Sequence, residues 1–108
     1  MSRSLIERRL TEVTERLRRS RQELAVLDEQ LVALSDAADD ARIRALVSET
    51  PLADKEHHEA QRHADAMARS RAAVQAAITE LERAQDELLD RIVVSETRGT
   101  NSVPGNRA

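Results

Sequence analysis

No phenylalanine, tyrosine or tryptophan occurs in this chain of 108 residues, and no cysteine either. A small globular core normally draws much of its buried area from aromatic rings, so their absence argues against a compact domain at this length. It also removes the platforms on which bases of single-stranded nucleic acids stack. Lack of cysteine excludes a disulfide frame, a thiolate zinc site and an iron–sulfur cluster, and leaves nothing that marks an oxidising compartment. There are only two glycines and two prolines, and both glycines and Pro104 fall after residue 98. Up to that point Pro51 is the one residue that forbids a continuing helix. The opening Met-Ser-Arg-Ser-Leu-Ile-Glu-Arg-Arg-Leu carries charge inside any would-be apolar stretch, so it reads neither as a secretory signal nor as a membrane span. A cytoplasmic protein without a membrane segment is expected.

What the chain does contain is charge and aliphatic periodicity. The net charge of −3 conceals a segregation along the chain. Residues 1–24 hold seven Arg against four Glu, residues 28–59 hold nine acids against three bases, and residues 60–98 hold seven acids against six Arg. The middle is therefore the acidic part. Direct nucleic-acid binding wants a basic field over one face, so it is disfavoured.

Steps of alternate fours and threes from Ile6 reach Leu10, Val13, Leu17, Ser20, Leu24, Leu27, Leu31, Leu34, Ala38, Ala41 and Ala45. A repeat of about 3.5 residues sustained this far specifies a coiled-coil seam rather than an ordinary amphipathic helix. A second track runs Ala53, His57, Ala60, Ala64, Met67, Arg71, Val74, Ile78, Leu81, Gln85, Leu88 and Ile92. Between them stands Ser48-Glu49-Thr50-Pro51, in which Thr50 reads as an N-cap and Pro51 as the first helical residue. Asp54 in the following turn suits the positive end of a helix. Ser4 and Glu7 have capping-box spacing at the start of the first helix.

The fold class is thus all-α: an antiparallel two-helix coiled-coil hairpin. Helix one covers about 4–48, a turn 48–51 and helix two about 51–95, making a helical hairpin of residues 1–97. The small polar residues of 98–108 are expected to form a disordered tail. Reversal at 48–51 makes residues whose numbers add to about 99 face each other, so Leu10 meets Leu88 or Leu89, Leu17 meets Leu81, Leu24 meets Val74 and Leu31 meets Met67. Leu27 and Ile78 complete this large-residue seam, whereas the half next to the turn pairs alanine with alanine. A competing reading places a hinge at Ser35-Asp36-Ala37-Ala38-Asp39-Asp40, whose short polar residues favour caps and turns, and gives three helices. Two helices alone leave one flank of each seam wet. Leu5, Val26, Val32, Leu89 and Val93 supply a second stripe, and dimerisation of hairpins into a four-helix bundle would cover it.

Candidate sites are few. His57, His58 and His63 lie among Asp54, Glu56 and Glu59, which invites a metal reading, and Glu56, Glu59 and His63 share a helix face. Yet no pair has the spacing of a zinc-protease or di-iron motif, and a solvated charged face accounts for them. No cofactor is implied. Ser20, Ser35, Ser48, Thr50 and Ser70 lie on helix faces or at caps, without a glycine-bearing turn to expose a nucleophile, so no enzyme is expected. Arg8, Arg9, Arg16, Arg18, Arg19 and Arg21 interleave with Glu7, Glu12, Glu15 and Glu23 at spacings that make helix-stabilising pairs. Arg71, on the seam, either snorkels outward or pairs with Asp28. The acidic set Asp36, Asp39, Asp40, Glu49, Asp54 and Glu56 is the candidate contact face for a protein partner.

Asp36-Ala-Ala-Asp39-Asp40-Ala41 has D-x-x-D-x-A spacing on a helical hairpin with a carboxylate-rich end. In this it resembles the secondary-channel transcription factors of the Gre and DksA type, which project such a rod into RNA polymerase. The resemblance covers six residues and implies a polymerase-binding regulator with those carboxylates at its tip. The chain departs from the pattern in lacking zinc-binding cysteines and in placing the motif about two turns before the reversal at Pro51. The leading expectation is a protein–protein interaction module, with the polymerase regulator second and a metal- or pH-responsive adaptor third. Residues 4–95 are expected to be more than about 80% helical, given the sustained heptads and the absence of internal glycine. Circular dichroism reporting under half helix would contradict that.

Overall fold

The computed structural model describes the backbone of residues 2–102 and the side chains of residues 2–96. It consists of two α-helices, α1 (Arg3–Ser48) and α2 (Pro51–Ser102), packed against each other as a hairpin. The hinge considered at 35–40 does not form, because α1 runs through it unbroken. Ala38 and Ala41 are buried on the seam there, while Asp36, Asp39 and Asp40 are exposed. Water satisfies those carboxylates, so they have no need to compete for backbone donors, and alanine has the highest helix propensity of any residue.

Each helix end has an identifiable cause. Ser2, rather than Ser4, caps α1: the Leu5 N–H donates to Ser2 Oγ at 3.2 Å and the Ile6 N–H to the Ser2 carbonyl at 3.0 Å. Glu7 therefore takes no part in a capping box and instead accepts from Arg3 Nε at 2.9 Å. At the other end the Glu49 N–H donates to the Ala45 carbonyl at 3.0 Å, and Glu49 itself turns left-handed with φ 53°. That residue satisfies an orphan carbonyl and redirects the chain, the work usually given to glycine. Thr50 then caps α2, its Oγ1 accepting from the Ala53 N–H at 3.1 Å, with Pro51 as first helical residue. The backbone of α2 continues past the expected end near 95 to Ser102. Gly99 costs a helix only about 1 kcal/mol relative to alanine, and the next proline stands at 104. Residues 103–108 of the expected tail lie outside the described residues.

The hairpin comprises two compact units. One joins α1 through Ser20 with α2 from Ala77, and the other is Arg21–Ala76. In the first, Ile6, Leu17, Ile78 and Leu88 are buried, and Leu10, Val13, Ser20, Leu81, Gln85 and Ile92 are half-buried. Leu17 is only 1% exposed, and truncating such a residue to alanine costs about 2–5 kcal/mol. In the second unit Ala38, Ala41, Ala45, Ala53 and Ala64 are buried. Leu24, Leu27, Leu31, Leu34, Met67 and Val74 are half-buried. Every position of both heptad tracks is thus at least partly withdrawn from water.

Side-chain links between the helices fix the register. In the first unit Arg3 Nη2 bonds Glu96 Oε1 at 2.8 Å and Gln85 Nε2 bonds Thr14 Oγ1 at 3.2 Å. In the second Arg71 pairs with Asp28. The residue numbers of each pair add to 99, the register expected from a reversal at Pro51.

A left-handed glutamate carries a steric cost of about 1 kcal/mol that glycine avoids. Glu49→Gly is expected to raise the stability of the hairpin by about 0.5–1 kcal/mol, and Thr50→Ala to lower it by about 1 kcal/mol through loss of the cap. Urea denaturation followed by circular dichroism measures both.

Candidate interaction surface

A chemical site needs groups taken out of water, and among the described residues no polar or charged residue is buried. Ser20 and Ser35 are half-buried, whereas Ser48, Thr50 and Ser70 are exposed. The nearest approach to an interior polar cluster is the Arg71–Asp28 pair, whose side chains are 37% and 49% exposed. Arg71 thus does both things its seam position suggests: its stem lines the interface and its guanidinium reaches the partner helix's carboxylate at the rim.

Glu56, Glu59 and His63 are all exposed. Among the described residues no group of three His, Asp or Glu side chains is drawn together in a way that could hold a metal ion. One turn of α2 separates each of these residues from the next, and no third element reaches over to close a ligand set. The half-buried His57 stacks on His58 with ring centroids 5.6 Å apart and an interplanar angle of 20°. On the seam it stands among alanines, whose small side chains leave it room.

At the arginine-rich start of α1, Arg3 and Arg18 pair with glutamates of the same helix. Arg18 reaches Glu15 through Nη2 at 2.5 Å and Nε at 3.1 Å. The hydrogen bond from Arg18, with its positive charge and that of Arg19, holds the Glu15 carboxyl below its ordinary range. Arg83 on α2 similarly bridges Glu80 at 2.9 Å and Glu87 at 2.7 Å, and its guanidinium pKa is raised, first by the hydrogen bond to Glu80. These are solvent-exposed pairs of the kind that stabilise a helix modestly.

The acidic set is exposed throughout: Asp36, Asp39 and Asp40 on α1, Glu49 in the turn, Asp54 and Glu56 at the start of α2. They do not form one cluster. Asp36 and Asp40 each follow a seam residue, Leu34 and Ala38, by two positions, which is about 200° round a helix and therefore on the face turned away from α2. Asp39 stands beside Asp40 on the same face.

Sequence periodicity missed the apolar side chains around the turn. Ile43, Leu46, Val47 and Leu52 are 53%, 66%, 80% and 65% exposed. Ile43 and Val47 follow the buried Ala41 and Ala45 by two, so they continue the line of Asp36 and Asp40. The signal was present in the sequence as large aliphatics outside the heptad track, but they lay next to an alanine seam that drew attention to its lack of bulk. Of the second stripe read from the sequence, Val26, Val32, Leu89 and Val93 are exposed, whereas Leu5 is half-buried. Among the described residues no helix is long and apolar enough to cross a membrane.

Compared with known protein families, curated proteins and solved structures, the chain matches none of them.

Because the outward aspartates touch solvent, Asp36→Asn, Asp39→Asn and Asp40→Asn should each change stability by no more than about 0.5 kcal/mol. Asp28→Asn should lower it by up to about 1 kcal/mol, since it strips Arg71 of its partner at a half-exposed position. The contrast is read from urea denaturation midpoints of the single variants.

Proposed function

We propose that this chain is a non-enzymatic coiled-coil module for protein–protein interaction, acting in the cytoplasm. Its distal half, with Asp36, Asp39, Asp40, Glu49, Asp54 and Glu56, meets a protein partner. A second copy packs against it at the end where the termini lie, through Leu89 and Val93. One observation carries this reading: large aliphatic side chains remain exposed, beside the seam at Leu89 and Val93 and on the face turned away from it at Ile43 and Val47, while among the described residues nothing polar is buried. Contiguous exposed apolar surface marks contact with other macromolecules, and catalysis needs the reverse arrangement, polar groups withdrawn from water. The mechanism is burial of these aliphatics against other helices, with flanking Glu and Arg setting register and partner choice.

The polymerase-regulator alternative requires carboxylates at the apex of the hairpin. Asp40 precedes Glu49 by nine residues of sequence, and the aliphatics Leu46, Val47 and Leu52 flank the turn itself. Direct nucleic-acid binding finds no support in an exposed acidic face.

Sedimentation of the full chain over a range of concentrations tests the self-association. A dimer is expected, and Leu89→Ser with Val93→Ser should convert it to a monomer without loss of helicity. A wild type that sediments as a monomer throughout would remove the homodimer. For the partner, cross-linking in cells followed by purification of the cross-linked protein allows direct titration. Replacing Asp36, Asp39 and Asp40 by Asn should weaken that binding about tenfold, equivalent to about 1.4 kcal/mol, and flatten its salt dependence. Unchanged affinity would clear the distal half of this role.

A further inference from the structure

The faces of α1 and α2 that point away from the seam differ in character near the turn. On α2 the residues two positions after each seam residue run Lys55, Glu59, Arg62, Ala66, Arg69 and Ala73, a solvated face in which every member is exposed. On α1 the corresponding run is Asp36, Asp40, Ile43 and Val47, flanked on one side by Asp39 and Leu46. Carboxylates occupy its first part and aliphatics its last. The two parts are about one to two helical turns apart on one straight line of some 17 Å, taking about 1.5 Å per residue from 36 to 47. Arg44, four residues after Asp40, flanks the line on the other side about as closely as Asp39 does, and Arg42 lies farther round.

We infer that this outward face of α1 docks an amphipathic helix of another protein, with aliphatic side chains against Ile43, Leu46 and Val47 and lysine or arginine against Asp36, Asp39 and Asp40. The charge pattern selects the occupant. If two copies of this chain met here in parallel, the three aspartates would face their own counterparts. An antiparallel pairing centred on the line would press aspartates onto Ile43 and Val47. Either arrangement desolvates three aspartates from each copy against a single flanking arginine, Arg44, so the carboxylates are under-compensated. A helix whose basic half follows its apolar half satisfies both parts of the face at once, the apolar contacts supplying most of the affinity and the charges fixing direction. An anionic lipid surface would be repelled by the same aspartates. The inference rests on the distal half being the contact face of the proposed interaction module, and it adds the chemistry of the partner.

The probe is a synthetic amphipathic helix with a leucine-rich half followed by a lysine-rich polar half, labelled for fluorescence anisotropy and titrated with the full chain. A second peptide is identical except for glutamate at every lysine. The lysine peptide is expected to bind at least about tenfold more tightly than the glutamate peptide, a difference that shrinks as salt rises. Replacing Ile43, Leu46 and Val47 together by serine should weaken the lysine peptide about tenfold while circular dichroism stays unchanged, since all three are already exposed. Replacing the three aspartates by asparagine should bring the two peptides to similar affinity. Val94→Ser, an exposed aliphatic at the far end of α2, should have no effect. Equal binding of both peptides, binding of neither, or loss through Val94→Ser rather than the tip would overturn the inference. So would a self-associated wild type that the tip serines dissociate, or tip-dependent binding to phosphatidylcholine vesicles. If an identified cellular partner loses affinity through the aspartate variants but ignores the tip serines, the inference fails while the interaction module stands.

Discussion

Everything in this molecule depends on the burial of a heptad seam between two helices that have little else to hold them. Without aromatic rings or disulfides, the chain must gain its stability by removing a narrow stripe of Leu, Ile, Val and Ala from water. The narrowness of the stripe dictates the length of the helices. Each turn of a two-helix contact withdraws only one or two side chains per helix, so many turns are needed before burial offsets the conformational entropy lost on ordering the backbone.

The seam is graded along its length. Around Leu17, Ile78 and Leu88 large side chains are buried; around Ala38, Ala41, Ala45, Ala53 and Ala64 the buried residues are methyl groups. Little area is lost from water near the turn, and there the fold leans on local devices: the left-handed Glu49, the Thr50 cap and Pro51. Polar residues on the seam or at its edge, Arg71 with Asp28 and Gln85 with Thr14, cost some hydrophobic gain but discriminate against slipped registers, because a slip of one heptad would set Arg71 against Arg21 or Ser35 and Gln85 against Glu7 or Arg21 in place of these partners. The same reasoning explains why the three links between helices obey one register.

A seam that takes its stability from one face leaves the others free to vary. α2 uses this freedom for solvated charge, and α1 near the turn uses it for aliphatics in line with aspartates. Those aliphatics stay more than half exposed in the hairpin, which is why they point to a contact beyond it.

Much of the architecture was legible from the amino acids. A period of about 3.5 residues placed every seam residue, since the repeat determines which side chains share a face irrespective of what packs against them. Pro51 located the reversal through its own covalent restriction, and the reversal determined the register. Three things were decided only by the tertiary structure. Ser2 rather than Ser4 caps α1, as two candidate hydroxyls two residues apart carry the same local preference. Glu49 adopts the left-handed conformation because the seams of both helices must meet on one side of a two-residue connection, a demand that no property of glutamate announces. And Ile43, Leu46, Val47 and Leu52 stay exposed because burial depends on whether a second surface arrives, and among the described residues α1 and α2 already spend their facing surfaces on the alanine seam.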